Sequence, residues 1–252
     1  MARLSVIVLT LNEEQNIGDC LESIRWADEI VIADSGSRDR TLEIARGYGA
    51  RILTIEWKGY GAARNSAVAT ATGDWILWLD ADERVSPELA EEIRGILADP
   101  ACRMDGFMIA RRAYFLGRWI RHSGWYPSRV LRLFRRGHGT FTETHVHERL
   151  ELSGSTGTTR HDILHYTDPD LEHYLAKFNR YTSLGAADLA AAGRRPVLAD
   201  LLVRPPFQFV KMYLLRRGFL DGLHGLVLAV LSSAYVFVKY AKLWERSLRD
   251  PH

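Results

Sequence analysis

The first hundred residues alternate between short apolar runs and segments with helical patterning. Leu4 to Thr10 is a β-branched apolar run and predicts a buried strand. Asn12 reads as the cap of a helix continuing to about Arg25, with acids in its first turn. Glu29 to Ala33 predicts a second strand, followed by a helix near Thr41 to Tyr48 that Ser37 is placed to cap. Arg51 to Glu56 predicts a third strand, Gly61 to Ala71 a helix of small residues, and Trp75 to Leu79 a fourth strand. Ser86-Pro87 then opens a further helix, with Ser as cap and Pro at the first helical position. Such alternation predicts a parallel sheet wrapped by helices.

In sheets of this kind ligands gather beyond the carboxyl ends of the strands. Asp34 and Asp80 to Asp82 fall at two such ends. Residues 105–166 read as irregular strands and loops, 170–192 as a helix, and two more helical segments follow Pro205-Pro206 to about Glu245. The expected organisation is a body of residues 1–193, with a nucleotide-binding half 1–100 and an acceptor half 101–193. A helical tail, 194–252, completes it.

Charge sharpens that division. Residues 194–252 hold ten Lys/Arg against four Asp/Glu, a local +6, while residues 1–193 carry −4. A basic appendage on a mildly acidic body follows. Two cysteines, Cys20 and Cys102, have no knuckle or framework spacing and favour a reducing, cytoplasmic compartment. The first apolar run stops at Asn12-Glu13-Glu14 without a cleavage site, unlike a signal peptide.

Three stretches carry candidate chemistry. In IVIADSGSRDRT (30–41), Asp34 is placed to accept hydrogen bonds from a base or a ribose, or else to hold its own turn with Asp39. In KGYGAARNSA (58–67), Gly59 and Gly61 mimic a dinucleotide fingerprint, but Arg64 replaces the third glycine. A glycine turn leading to Arg64 on a helix N-terminus suits a diphosphate, and a structural carboxylate is the competing partner. In DWILWLDADE (74–83), three carboxylates end an apolar strand and repel one another unless a cation intervenes. Asp80-x-Asp82 reads best as a Mg2+ or Mn2+ site, since such ions take few protein carboxylates and fill up with water and phosphate oxygens.

In this order SVIVLTLNEE (5–14), VIADSGSRD (31–39) and GAARNSAVATATGDWILWLDADE (61–83) resemble glycosyltransferase family 2, the inverting nucleotide-sugar transferases. The resemblance implies an α/β, Rossmann-like GT-A fold that binds a nucleotide sugar, here with a C-terminal helical membrane-associating extension. It implies that Thr10 and Glu13 border the nucleotide, that Asp34 contacts the base or ribose, and that Arg64 lies near the diphosphate. Asp80 falls to the ribose or metal and Asp82 to the metal. Ala33 stands where many members have another aspartate, which leaves the base contact to Asp34 alone. THVHERL (144–150) and residues 204–245 look like the bacterial transferases that add glucose to the heptose of lipopolysaccharide inner core. That implies a UDP-hexose donor and a lipid-linked anionic glycan acceptor.

An inverting transfer needs a base for the acceptor hydroxyl. Residues 106–142 contain no Asp or Glu, so the next carboxylates, Glu143 and Glu148, are the candidates. Glu148 is expected to be the base, with His147 or His145 beside it and Asp162 a distant competitor. The same acid-free stretch interleaves eight arginines with aromatics, and Arg129, Arg132, Trp125 and His147 are expected to hold an anionic, sugar-bearing acceptor. Nucleic acid fits that composition too, but the acidic body argues against it. Phe219 to Val238 is apolar but interrupted by Asp221 and His224, leaving only Leu226 to Val238 clean, too short to cross a bilayer. With its flanking Lys and Arg the tail reads as an in-plane attachment to the cytoplasmic membrane face, a hairpin packed on the protein being the alternative. Two rival readings are a polyprenyl-phosphate glycosyltransferase and a non-catalytic nucleotide-sugar-binding scaffold.

Overall fold

A computed structural model describes residues 2–55, 60–142 and 149–249. They fall into two compact units, residues 1–112 with 128–165, and residues 113–127 with 166–252.

The first unit opens with the expected alternation. Strands β1 (Leu4–Thr10), β2 (Glu29–Asp34), β3 (Arg51–Thr54) and β4 (Trp75–Asp80) alternate with helices α1 (Ile17–Ser23), α2 (Thr41–Gly47) and α3 (Tyr60–Thr70). A short strand β5 (Glu83–Val85) precedes α4 (Pro87–Ala98), whose cap Ser86 accepts a hydrogen bond from the Leu89 amide at 3.2 Å. Residues read from sequence as irregular are largely strands: β6 (Gly106–Phe115), β7 (Arg118–Trp119), β8 (Ser128–Arg135), β9 (Gly139–Phe141), β10 (Leu150–Leu152), β11 (Thr156–Thr158) and β12 (Ile163–Asp168). The strand order is β3-β2-β1-β4-β8-β6-β12-β5. β1 to β4 pair in parallel, and β8 turns antiparallel against both β4 and β6.

Period-two alternation divides β1 and β4 between two layers. Leu4, Val6, Val8, Trp75, Leu77 and Leu79 pack with α1, α2 and α4. Ile7, Ile76 and Trp78 face Ala63 and Ala67 of α3, together with Phe134 and Phe141. Asp80, two positions beyond Trp78, therefore emerges on the α3 side.

α1 begins later than the sequence predicts. Asn12 takes a left-handed φ of 55° and spends its side chain on the Arg38 amide at 2.8 Å. Ser37 likewise does not cap α2, because its hydroxyl accepts from the Asn12 amide and donates to Asp34. Both residues staple one strand-end loop to its neighbour instead.

The second unit is mainly helical: α5 (Leu171–Ala191), α6 (Leu198–Leu202), α7 (Arg204–Val210), a π-turn (Lys211–Leu215), a 3-10 turn (Gly218–Asp221) and α8 (Gly222–Arg249). Phe115, Ile120, Met212, Leu228 and Ala229 form its core, and Ala186, Tyr240 and Leu243 a second cluster. The Lys242 ammonium donates to Asn179 and to the Thr182 and Ser183 hydroxyls of α5. The compact division thus differs from a boundary at 193, because α5 buries its apolar face against α8. The stretch Gly218–Leu248 is long and apolar enough to cross a membrane by length and composition.

Candidate active site

Parallel pairing brings three expected residues to one sheet edge. Thr10 lies opposite Asp34, and Leu9 opposite Asp80. Among the described residues the buried Thr10 hydroxyl has no hydrogen-bond partner, an uncommon state for a buried polar group. Asp34 is also buried, and its carboxylate accepts from the Gly36 amide at 2.9 Å and from the Ser37 amide and hydroxyl. It holds the tight turn on which the loop depends. The Glu13 amide donates to the Thr41 hydroxyl and its carboxylate accepts from Asn16, joining the loops after β1 and β2.

The carboxylate cluster at the end of β4 is neutralised residue by residue. Arg132 of β8, 4% exposed, donates to Asp80 at 2.8 Å and to Glu83 at 2.6 Å. Arg64 stands 3.8 Å from the other Asp80 oxygen, and Arg111 3.8 Å from Glu83. Burial alone would raise Asp80, but Arg132 and Arg64 outweigh it and hold the carboxyl at about 2. Burial pushes the fully enclosed Glu83 up, Arg132 only partly opposing it. Glu83 also accepts from the Asp80 amide at 3.0 Å, bracing the turn.

Asp82 makes no ion pair with Arg132 or Arg64 among those described, and lies within electrostatic reach of Arg111. It sits in the turn between β4 and β5, and its Oδ2 faces Nε2 of His165 at 3.2 Å. The register of β12 on β5 sets this up by placing His165 opposite Glu83. A carboxylate oxygen and an imidazole nitrogen at this separation suit two adjacent ligands of one Mg2+ or Mn2+ ion. No group of three or more His, Cys, Asp or Glu converges among the described residues, so water and phosphate oxygens would complete the shell.

A cavity of about 750 Å³ opens beside this cluster, lined by Arg64, Trp78, Asp80, Arg129, Phe141 and Arg149, among others. The Arg64 guanidinium stacks on Trp78, 4.2 Å from the ring centroid. Asn65 fixes the opposite wall by exchanging two hydrogen bonds with the Phe141 backbone, at 2.8 and 2.9 Å. The site is cationic, part aromatic and open to anionic ligands.

This ordered arrangement has a match among known proteins. The family model described as glycosyl transferase family 2 fits residues 5–150. The chain belongs to that family. The transferase is 32% identical over 250 residues to the lipopolysaccharide core biosynthesis glycosyltransferase LpsC of Rhizobium meliloti (strain 1021), with 96% of this chain and 92% of that protein covered. It is 29% identical to an uncharacterized glycosyltransferase of Rickettsia typhi, over 99% of this chain and 89% of that one. The solved structure of S. aureus TarS 1–349 aligns with a TM-score of 0.48 and 16% identity, over 99% of this chain and 92% of that chain.

In the transferase, then, Thr10, Asp34, Asp80 and Asp82 gather at the strand ends, with Arg64 beside Asp80. Arg132, expected to hold an acceptor, is the buried cation shared by Asp80 and Glu83 and also lines the cavity. Arg129, expected in the same role, lines the cavity and is exposed. Trp125 belongs to the second unit, where its ring meets Phe115 edge-on at 6.3 Å. Glu143, His145, His147 and Glu148 lie outside the described residues. Asp162 is buried and ion-paired to Arg112 at 2.7 Å. Sequence reasoning missed His165, whose only signal is a single histidine inside the strand ILHYTD.

Proposed function

We propose that this enzyme transfers a hexose, glucose in the first instance, from a UDP-sugar to a lipid-linked anionic glycan, the inner-core heptose of lipopolysaccharide, at the cytoplasmic membrane face. The observation that carries the reading is the division of labour at the end of β4. Arginines form ion pairs with Asp80 and Glu83, whereas the partner that Asp82 meets at hydrogen-bond distance among the described residues is the His165 imidazole, the chemistry of a donor set for a divalent ion. The likeness to the R. meliloti lipopolysaccharide core biosynthesis glycosyltransferase supports the acceptor class.

Asp82 and His165 would hold the metal. When bound, it neutralises charge growing on the departing nucleoside diphosphate. Thr10 and Asp34 would border the nucleoside and Arg64 the diphosphate. Arg129 would draw the acceptor's anionic groups to the cavity. Glu148 would accept the proton of the acceptor hydroxyl as that oxygen bonds to the anomeric carbon and the diphosphate oxygen departs.

The test pairs binding with turnover. Asp82→Ala and His165→Ala should each abolish manganese-dependent UDP binding by calorimetry while leaving the melting temperature near the parent's. Glu148→Gln should keep that binding and lose roughly 10²–10⁴-fold in transfer to lipopolysaccharide-bearing lipid extracts. Unchanged metal-dependent affinity in both ligand variants would end the metal assignment. Loss of transfer in Glu143→Gln but not Glu148→Gln would move the base.

A further inference from the structure

Exposed apolar side chains are distributed very unevenly. Among the described residues of the first unit, only Leu11 and Met104 are large, apolar and exposed. The second unit carries the rest, and the densest run extends from α6 through the 3-10 turn. Leu198, Leu202, Phe207, Leu214, Leu215 and Leu223 are each 51–70% exposed. Along α7 and the π-turn the pattern is one-sided. Val203, Phe207, Val210 and Leu214 recur every three or four residues on the open side, while Pro205 and Met212 on the other side are buried. Leaving so much contiguous apolar surface in water is unfavourable and marks a site of association.

The charges say what kind of partner. Residues 197–223 contain two acids, Asp200 and Asp221, and both are turned inward. Asp200, 1% exposed, is ion-paired to Arg194 and Arg204. Asp221, 2% exposed, accepts from the Arg121 and His122 amides and meets the His122 ring at 3.0 Å. The charges left on the outward face of this stretch are therefore cations alone, the exposed Arg204, Arg216 and Arg217 and the half-buried Lys211. An apolar face rimmed only by cations complements a bilayer of anionic lipid.

Hydropathy points to Leu226 to Val238 as the immersed segment, but the structure leaves most of that stretch half-buried and commits part of it to packing. Leu228 and Ala229 are fully buried in the second unit's core, and the Ser233 hydroxyl donates to the Pro205 carbonyl at 2.8 Å. Apart from Leu223, α8 exposes large apolar residues at Val230, Phe237, Trp244 and Leu248, a narrow stripe along the helix. We infer that Leu198 to Leu223 is the surface that enters an anionic bilayer, lying along it, with α8 supporting that surface. This rests on the proposed membrane location and names the residues that create it.

The experiment is vesicle flotation of the full-length protein. Vesicles of phosphatidylethanolamine and phosphatidylglycerol are compared with phosphatidylcholine alone. The double variant Leu202→Asp/Leu215→Asp should lose at least tenfold in bound fraction, and Val230→Asp/Phe237→Asp on α8 should lose little. Replacing Lys211 and Arg217 by Gln should weaken binding to the anionic vesicles about fivefold per cation, the equivalent of about 1 kcal/mol each. Melting temperature and manganese-dependent UDP-sugar hydrolysis, measured on the same samples, separate loss of membrane binding from loss of the fold or of the transferase reading. An environment-sensitive dye on Leu215→Cys, in a Cys102→Ser background, reports immersion without disrupting it and should shift to the blue with vesicles. Undiminished flotation of the first variant, equal or greater loss in the α8 variant, an unshifted dye, or self-association through this face without lipid binding would each overturn the inference.

Discussion

Two residues make the first unit's electrostatics concrete. Arg132 satisfies two carboxylates from a position 4% exposed. Removing it strands Glu83 in a fully buried site, a loss that typically costs about 3–5 kcal/mol. Arg132→Met should therefore lower stability by that order in urea titration, and adding Glu83→Gln should recover part of it. Glu29 behaves differently. Burial raises it, but Ser5, Thr72 and Arg51 prevail and hold its carboxyl at about 2, against an ordinary 4.5. Because the folded value lies below the unfolded one, its stabilisation is complete above about pH 4.5 and disappears as pH falls toward 2. Glu29→Gln should cost about 1–2 kcal/mol at pH 7, less than the full shift because solvent screens the group, and almost nothing at pH 2, read from denaturation at both values.

Elements show why some of the site was legible in sequence and some was not. The β1 to α4 alternation follows from local periodicity, and with it the placing of Thr10, Asp34, Asp80 and Asp82 at strand ends. The partners of those residues come from antiparallel strands far along the chain. Arg132 is 52 positions from Asp80, and His165 is 83 from Asp82. No periodicity announces a pairing of that range, because register is decided by the sheet as a whole. Asn12 fails as a predicted cap for a similar reason: the loop after β2 offered its side chain a better partner. α3 and β9 illustrate the same dependence on distant contact. Asn65→Ala removes both hydrogen bonds to Phe141, each worth about 1 kcal/mol net, and loosens a cavity wall. Calorimetry should show a stability loss of roughly 1–3 kcal/mol, and kinetics a higher KM for the donor with a smaller change in kcat.

On the scale of the molecule, one unit is built around a sheet edge that gathers polar groups, and the other around helices whose segment 197–223 turns its two acids inward. Asp200 and Asp221, the two acids between residues 197 and 223, are the clearest sign of that second plan. Fastening to a bilayer changes how a catalyst meets its acceptor. Once both are confined to the same sheet of lipid, encounter is a search in two dimensions, governed by mole fraction in the surface rather than by molarity. Adding inert anionic lipid at constant bulk acceptor should therefore slow the transferase in proportion to the dilution, while adding the same volume of buffer should not. Leu202→Asp/Leu215→Asp should invert that dependence, following bulk concentration and ignoring the lipid. On the proposed attachment, the apolar face from Leu198 to Leu223 would decide which kind of concentration the enzyme can sense.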